Sequence, residues 1–164
     1  MKEEWWAMPT VELRPVSDSD LDAIFEQRRD PASVQMAAFT SEDPNDRGAF
    51  DSHMAQLRTS TDITIRAVTH DDRFVGTIGS FVLEGITEVT YWLDRSYWGQ
   101  GIASRALVLF LGEVPVRPLR ARVASDNVGS LRLLHKAGFQ TLAKERSFAT
   151  ARGGEIEETI LELP

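Results

Sequence analysis

The stretch Tyr97-Trp98-Gly99-Gln100-Gly101-Ile102-Ala103-Ser104 decides how this chain reads. It lies between a strand pattern ending near Asp94 and a strongly apolar helical pattern over 100–113. Gly99 and Gly101 let the backbone come close to a ligand. The first N–H groups of the helix have no partner inside the helix, and its dipole adds partial positive charge there. Small residues at 101 and 103 leave those N–H groups uncovered, so the turn is built to take phosphate without a lysine. It is not a P-loop, because no Gly-Lys-Ser/Thr ends it. It is not the dinucleotide fingerprint, because the third glycine is missing. The plain alternative is a tight strand-to-helix turn.

Outward from that turn the elements follow in order. Val11, Leu13 and Pro15 predict a short strand. Ser17 and Asp20 are spaced like a capping box before an apolar face of Leu21, Ile24 and Phe25. Residues 31–48 hold Pro31, Pro44 and Gly48 and read as a long connection. A second helix is predicted from Arg47 to Arg58, with Phe50, Met54 and Leu57 on one side. Ile63, Ile65 and Ala67, then the His70–Arg73 turn, predict a hairpin. Phe74 to Leu83 returns, with Gly76 and Gly79 as sites for bulges, and Gly85 turns into Glu88–Asp94. After the helix over 100–113, Leu119–Ala124 is a strand. Asp126-Asn127 opens a helix that Gly138 closes. Two strands joined through Gly153-Gly154 finish the chain. This order predicts a mixed α/β (α+β) sheet covered by helices.

Composition bounds the function. The chain has 164 residues, 18 Lys+Arg and 25 Asp+Glu, for a net charge of −7. An acidic chain without a basic stripe argues against nucleic acid and suits amine-bearing partners better. There are no cysteines, which excludes disulfides and thiol catalysis. No apolar run approaches the roughly 18 residues of a membrane span. The start, Met1–Trp6, is acidic and lacks the apolar core of a signal peptide. The cytoplasm is the simplest expectation. Residues 1–9 read as an extension carrying Trp5 and Trp6, and 10–162 as one domain. His53, His70 and His135 lie in separate elements without ligand spacing, so no metal is expected.

A second segment, Asn127-x-x-Ser130-x-x-Leu133-Leu134-His135-Lys136-x-Gly138-Phe139, follows the strand after the turn. Together the two segments resemble the GNAT superfamily of N-acetyltransferases. Tyr91-Trp92-Leu93-Asp94 followed by Tyr97–Gly101 is most similar to the branch named for ribosomal-protein alanine N-acetyltransferases. The resemblance implies a mostly antiparallel sheet split between its fourth and fifth strands and flanked by about four helices. It implies acetyl-CoA as co-substrate, with the pantetheine arm paired to backbone near Trp92 and Leu93. Amides of Trp98, Gly99, Gln100, Gly101, Ile102, Ala103 and Ser104 would hold the pyrophosphate, and Asn127 would touch the cofactor arm. Asn127 is equally a helix N-cap.

The resemblance also assigns the chemistry. Ser130 faces the thioester sulfur and serves the leaving thiolate. Many relatives use a tyrosine four residues later, where this chain has Leu134. Glu88 matches a position of the general base, since acyl transfer needs a neutral nitrogen. Strand alternation puts it on one face with Thr90, Trp92 and Asp94. The bland readings are a surface serine and a solvated charge at a strand start. His53, on the helix that walls the acceptor site, could touch the acceptor. The acceptor is a primary amine, on a small molecule or a protein N-terminus, and residues 25–60 with the final hairpin should shape its site. Two other readings stay open: a non-catalytic acyl-CoA-binding module, and a transferase using another donor such as succinyl-CoA. A homodimer also stays open.

Overall fold

The computed structural model describes residues 10–40 and 43–164. The predicted extension over 1–9, with Trp5 and Trp6, lies outside the described residues.

Seven strands form one sheet in the order β1-β2-β3-β4-β5-β7-β6. They are β1 (Val11–Pro15), β2 (Thr64–His70), β3 (Arg73–Leu83), β4 (Ile86–Leu93), β5 (Leu119–Ala124), β6 (Gln140–Ala149) and β7 (Gly154–Leu163). Every neighbouring pair is antiparallel except β4 and β5. Those two pair in parallel only at Thr87–Leu119 and Glu88–Arg120. Beyond Glu88 they part, and the gap opens where β4 carries Val89–Leu93. The hairpins β2–β3 and β3–β4 turn on Asp71-Asp72 and Glu84-Gly85. All four residues have positive φ, as two-residue turns matched to strand twist require.

Among the described residues five α-helices cover the sheet, where the resemblance implies about four: α1 (Leu21–Gln27), α2 (Pro31–Ala37), α3 (Arg47–Thr59), α4 (Ile102–Glu113) and α5 (Val128–Lys136). The additional helix is α2, in the segment read as a connection. Asp30 caps it by accepting from the Ser33 N–H, and Pro31 occupies its first position, where the missing N–H does no harm. Only seven residues long, it shows too little periodicity to stand out. The predicted capping box opens a 3₁₀ turn, Asp18–Asp20, ahead of α1. There the Arg14 guanidinium grips buried Asp20 at 2.6 and 2.8 Å and holds its carboxyl below the usual range.

Alternation divides the hydrophobic residues between two faces. On one face Val68, Ile78 and Val89 pack with Ile102, Ala106, Leu107 and Phe110 of α4 and Leu134 of α5. Leu134, at the position where the resemblance implies a tyrosine in many members, is a fully buried core residue. On the other face Ala67 packs with Ile24 of α1 and Met54 of α3. Glu88, Thr90 and Trp92 belong to this second face, while Val89, Tyr91 and Leu93 belong to the first.

The β3 bulge lies at Val75, beside the predicted Gly76. Val68 of β2 pairs with Gly76 and Thr69 with Phe74, leaving Val75 as the extra residue. Its carbonyl, on the β4 side, accepts from the Asp94 N–H at 2.8 Å and from Gln27 Nε2 at 3.2 Å. Gly76 is required by close approach: a Cβ there would stand 2.2 Å from the Trp92 carbonyl. Gly76→Ala is therefore expected to cost about 1–3 kcal/mol, a fall in Tm of roughly 3–10 °C at this size. Gly112→Ala is the control, because nothing lies within 4 Å of its Cβ in α4; it should gain roughly 0.5 kcal/mol. Thermal unfolding of both variants checks the contrast.

Candidate active site

The quoted stretch folds as a short 3₁₀ turn, Arg95–Tyr97, and then the start of α4. Gly99 has φ +74° and Gly101, the N-cap of α4, has φ +78°. The first intrahelical bond is donated by Arg105 to the Gly101 carbonyl, so the N–H groups of Ile102, Ala103 and Ser104 are free for a ligand. Gly99, Gln100 and Gly101 are exposed, and Ile102 anchors the turn in the core. Gln100 spends its side-chain amide on the Ser96 carbonyl. Trp98 is half-exposed and donates its indole N–H to the Leu93 carbonyl at 3.0 Å.

That bond identifies the main chain facing the gap. Along β4, alternate residues turn their backbone groups to opposite sides. Asp94 donates toward β3, so Trp92 also faces β3, and Leu93 and Tyr91 face the gap. Of the two residues expected near the pantetheine arm, Leu93 thus presents backbone groups to the gap. The Trp92 side chain instead lines a cleft on the α1–α3 side.

Ser130 lies in the first turn of α5. Asn127 caps that helix by accepting from the Ser130 N–H at 3.2 Å, so the capping role of Asn127 holds. Ser130 is not a bare surface serine. Its hydroxyl shares a short hydrogen bond with the Tyr91 phenol, which reaches across from β4. Burial pushes the Tyr91 phenol above its ordinary pKa, against a smaller opposite effect of the Ser130 bond. The Tyr91–Ser130 link spans 39 residues and left no local signal.

Glu88 is 3% exposed, the third residue of β4, so the reading of a solvated strand start is corrected. The parallel ladder brings β5 beside it, and Arg122 Nε donates to Glu88 Oε1 at 2.8 Å. Glu88 Oε2 is buried with no partner among the described residues. Arg122 also lies 3.5 Å from Glu145 and 4.0 Å from Glu158. One guanidinium thus serves three carboxylates. Burial pushes the Glu158 carboxyl up, with Ser147 and Arg122 opposing and the Glu145 and Glu88 charges adding to the rise.

A cleft of about 1040 Å³ opens on the second face, walled by α1, α3 and β2–β4, and includes Thr90, Tyr91 and Trp92. His53 lines it. Partial burial, and secondarily the Arg28 charge, push its imidazole below the ordinary value. Arg28, at the end of α1, lines the same cleft. It carries no sequence signature, being one of two adjacent arginines after an apolar helix face.

Among the described residues no three His, Asp or Glu side chains group as metal ligands. No helix there is long and apolar enough to cross a membrane.

A family model described as "Acetyltransferase (GNAT) domain" matches residues 10–140. "Probable N-acetyltransferase YjcK" of Bacillus subtilis (strain 168) is 35% identical over 77 residues, covering 42% of each chain. The match therefore spans less than half that relative's length. RimJ of Mycobacterium smegmatis, solved with CoA-disulfide, superposes with a TM-score of 0.79 at 21% identity, covering 93% of this chain and 81% of that one. The microcin C7 self-immunity acetyltransferase MccE, solved with acetyl-CoA and AMP, gives 0.79 at 13% identity, covering 93% and 91%.

The raised pKa of Glu158 has a measurable consequence. Between the ordinary glutamate pKa of about 4.3 and its raised folded value, the folded state binds this proton better than the unfolded state. Stability from this group therefore falls as pH rises through that window. Glu158→Gln removes the penalty while keeping an acceptor for Ser147. Its Tm should exceed wild type at pH 7, and the difference should close below about pH 4. A lower Tm at pH 7 would show that the charge is stabilising.

Proposed function

We propose that this chain, which belongs to the GNAT acetyltransferase family, transfers the acetyl group of acetyl-CoA to a primary amine. The observation that carries the reading is the pairing of two features. The uncovered amides at the start of α4 suit a pyrophosphate, and the β4–β5 gap runs from there to Ser130. The pyrophosphate lies on the amides of Trp98–Ser104, dominated by Ile102, Ala103 and Ser104. The pantetheine arm fills the gap against Leu93, and Asn127 has its side-chain N–H groups free to meet it.

The amine nitrogen bonds to the thioester carbonyl carbon, and the carbon–sulfur bond breaks. The Leu93 N–H polarises the carbonyl oxygen. Ser130, linked to Tyr91, donates a hydrogen bond or proton to the departing sulfur. Glu88 takes the amine proton through water. Its open Oε2 lies on the same strand face as Thr90, which borders the cleft. The acceptor is an amine on a small molecule or a protein N-terminus, and catalysis needs no metal. The domain is read as spanning 10–162, in the cytoplasm.

Acetyl-CoA at roughly 100 times its Kd should stabilise the fold by about 2.7 kcal/mol, a rise of roughly 5–10 °C. Gly101→Val should abolish most of it, since a branched side chain at φ +78° distorts the turn and covers its amides. No shift in wild type, with acetyl-CoA or CoA up to millimolar, rejects the cofactor. CoA release with an amine panel separates turnover from passive acyl-CoA binding, and competition with succinyl-CoA fixes the donor.

The two chemical roles separate kinetically. Ser130→Ala and Tyr91→Phe should lower kcat while leaving the acetyl-CoA shift in place, because they act on charge that develops as sulfur leaves. Glu88→Gln should lower kcat/KM by about 10²–10⁴-fold at neutral pH, with the loss shrinking at high pH, where the amine is already neutral. A loss uniform across pH would assign Glu88 to holding Arg122 instead.

A further inference from the structure

Three buried side-chain atoms lack a hydrogen-bond partner among the described residues: Arg28 Nε, Trp92 Nε1 and Glu88 Oε2. Buried polar atoms are rarely left open without a reason. Two are donors, Arg28 and Trp92, and both side chains line the α1–α3 cleft. The third is an acceptor on the strand that carries Trp92.

Arg28 stands out among its neighbours. Arg29 pairs with Glu26, Arg47 with Asp22 and Asp51, Arg58 with Asp18, and Arg95 with Asp30. Arg28 has no ion pair among the described residues, although it is more enclosed. Its charge adds to the burial that pushes the His53 imidazole toward the neutral form. The cleft carboxylates are Asp43, Asp46 and Asp62; Asp43 and Asp46 accept from the Asn45 and Ala49 N–H groups, and none of the three pairs with Arg28. Desolvation pulls the Arg28 guanidinium below its ordinary pKa, a penalty an anion in the cleft would relieve.

We infer that the acceptor is an amine that also carries an oxyanion, held by Arg28 and the Trp92 indole N–H in the α1–α3 cleft while its amine points to the β4–β5 gap. The inference rests on the acetyltransferase reading above and narrows its acceptor. The two ends of the acceptor meet opposite surroundings. Two donors wait at one end. At the other, Arg122 is outnumbered by Glu88, Glu145 and Glu158, which favours a protonated amine on approach. Phe25, Phe50 and the Trp92 ring leave apolar wall between for the rest of the molecule. The anion is a carboxylate or a phosphorus oxyanion, which share this donor chemistry. An amide in its place, as at a protein N-terminus, leaves the half-buried guanidinium unmatched.

The experiment compares matched acceptors. A panel of α-, β- and γ-amino acids is assayed beside the corresponding carboxamides, and aminoalkylphosphonates beside their diethyl esters, with CoA release as readout. Wild type should prefer the anionic member of its best pair by roughly 10²-fold or more in kcat/KM; whichever series gives that pair identifies the anion. Arg28→Gln should bring the ratio within about tenfold, chiefly through KM, and Trp92→Phe should lower it less. An unchanged acetyl-CoA melting shift in Arg28→Gln shows that the fold is intact. Equal use of both members, preference for the neutral one, or an Arg28→Gln loss shared by both overturns the inference and leaves the acetyltransferase standing. Calorimetric titration of the same panel into the protein, with and without CoA, decides the matter if no CoA is released. Arg28-dependent binding of an anionic member supports the inference even if acetyl transfer fails, and its absence refutes it.

Discussion

The parallel ladder between β4 and β5 ends after two pairs, at Glu88 and Arg120, and this parting organises the molecule. Twist alone does not hold two strands apart, because their edges carry unpaired N–H and C=O groups. Here the far side of each is secured. β4 is held by β3 through a register that Gly76 makes close, and β5 by β7 along its full length. At the fork the Glu88–Arg122 ion pair joins the strands where their main chains cease to. The gap is therefore a stable part of the fold, with backbone groups left for a guest.

Each surface of the gap takes its chemistry from the face it belongs to. The face packed on α4 and α5 brings Tyr91 to Ser130 beside the helix whose first N–H groups are uncovered. The opposite face concentrates charge that the fold does not fully balance: three glutamates around one arginine on one side, and an arginine without a counterion on the other. A structure optimised for stability alone would pair or remove such groups. Their imbalance is informative because so many other arginines on this surface are paired.

Much of this was legible in the chain, and the limits are physical. Gly99, Gly101 and the apolar run after them act within a few residues, so the turn and its free amides could be read directly. Asn127 and Gly138 likewise cap α5 at both ends as expected. Glu88 and Ser130 could be named, but their surroundings could not. Glu88 is buried because Arg122 arrives on another strand, and Ser130 is bound because Tyr91, of opposite parity to Glu88 on β4, points to the face where α5 packs. Arg28 was indistinguishable from Arg29 until the fold buried one and paired the other. The helix α2 escaped because two turns of Ala, Ser and Val give little periodicity, although Asp30-Pro31 marks its start.

Trp98 ties the two halves of the proposed cofactor path together. Its indole fastens the turn carrying the free amides to the Leu93 carbonyl, at the end of the strand that lines the gap. The anchoring point for a charged head and the place where a carbonyl would be polarised thus move as one body. Such an arrangement works as a ruler. A carrier whose arm is longer or shorter than the fixed span would seat its anionic end and leave its reactive carbon out of register. Selection of the acyl carrier would then rest on length as much as on any group that touches it.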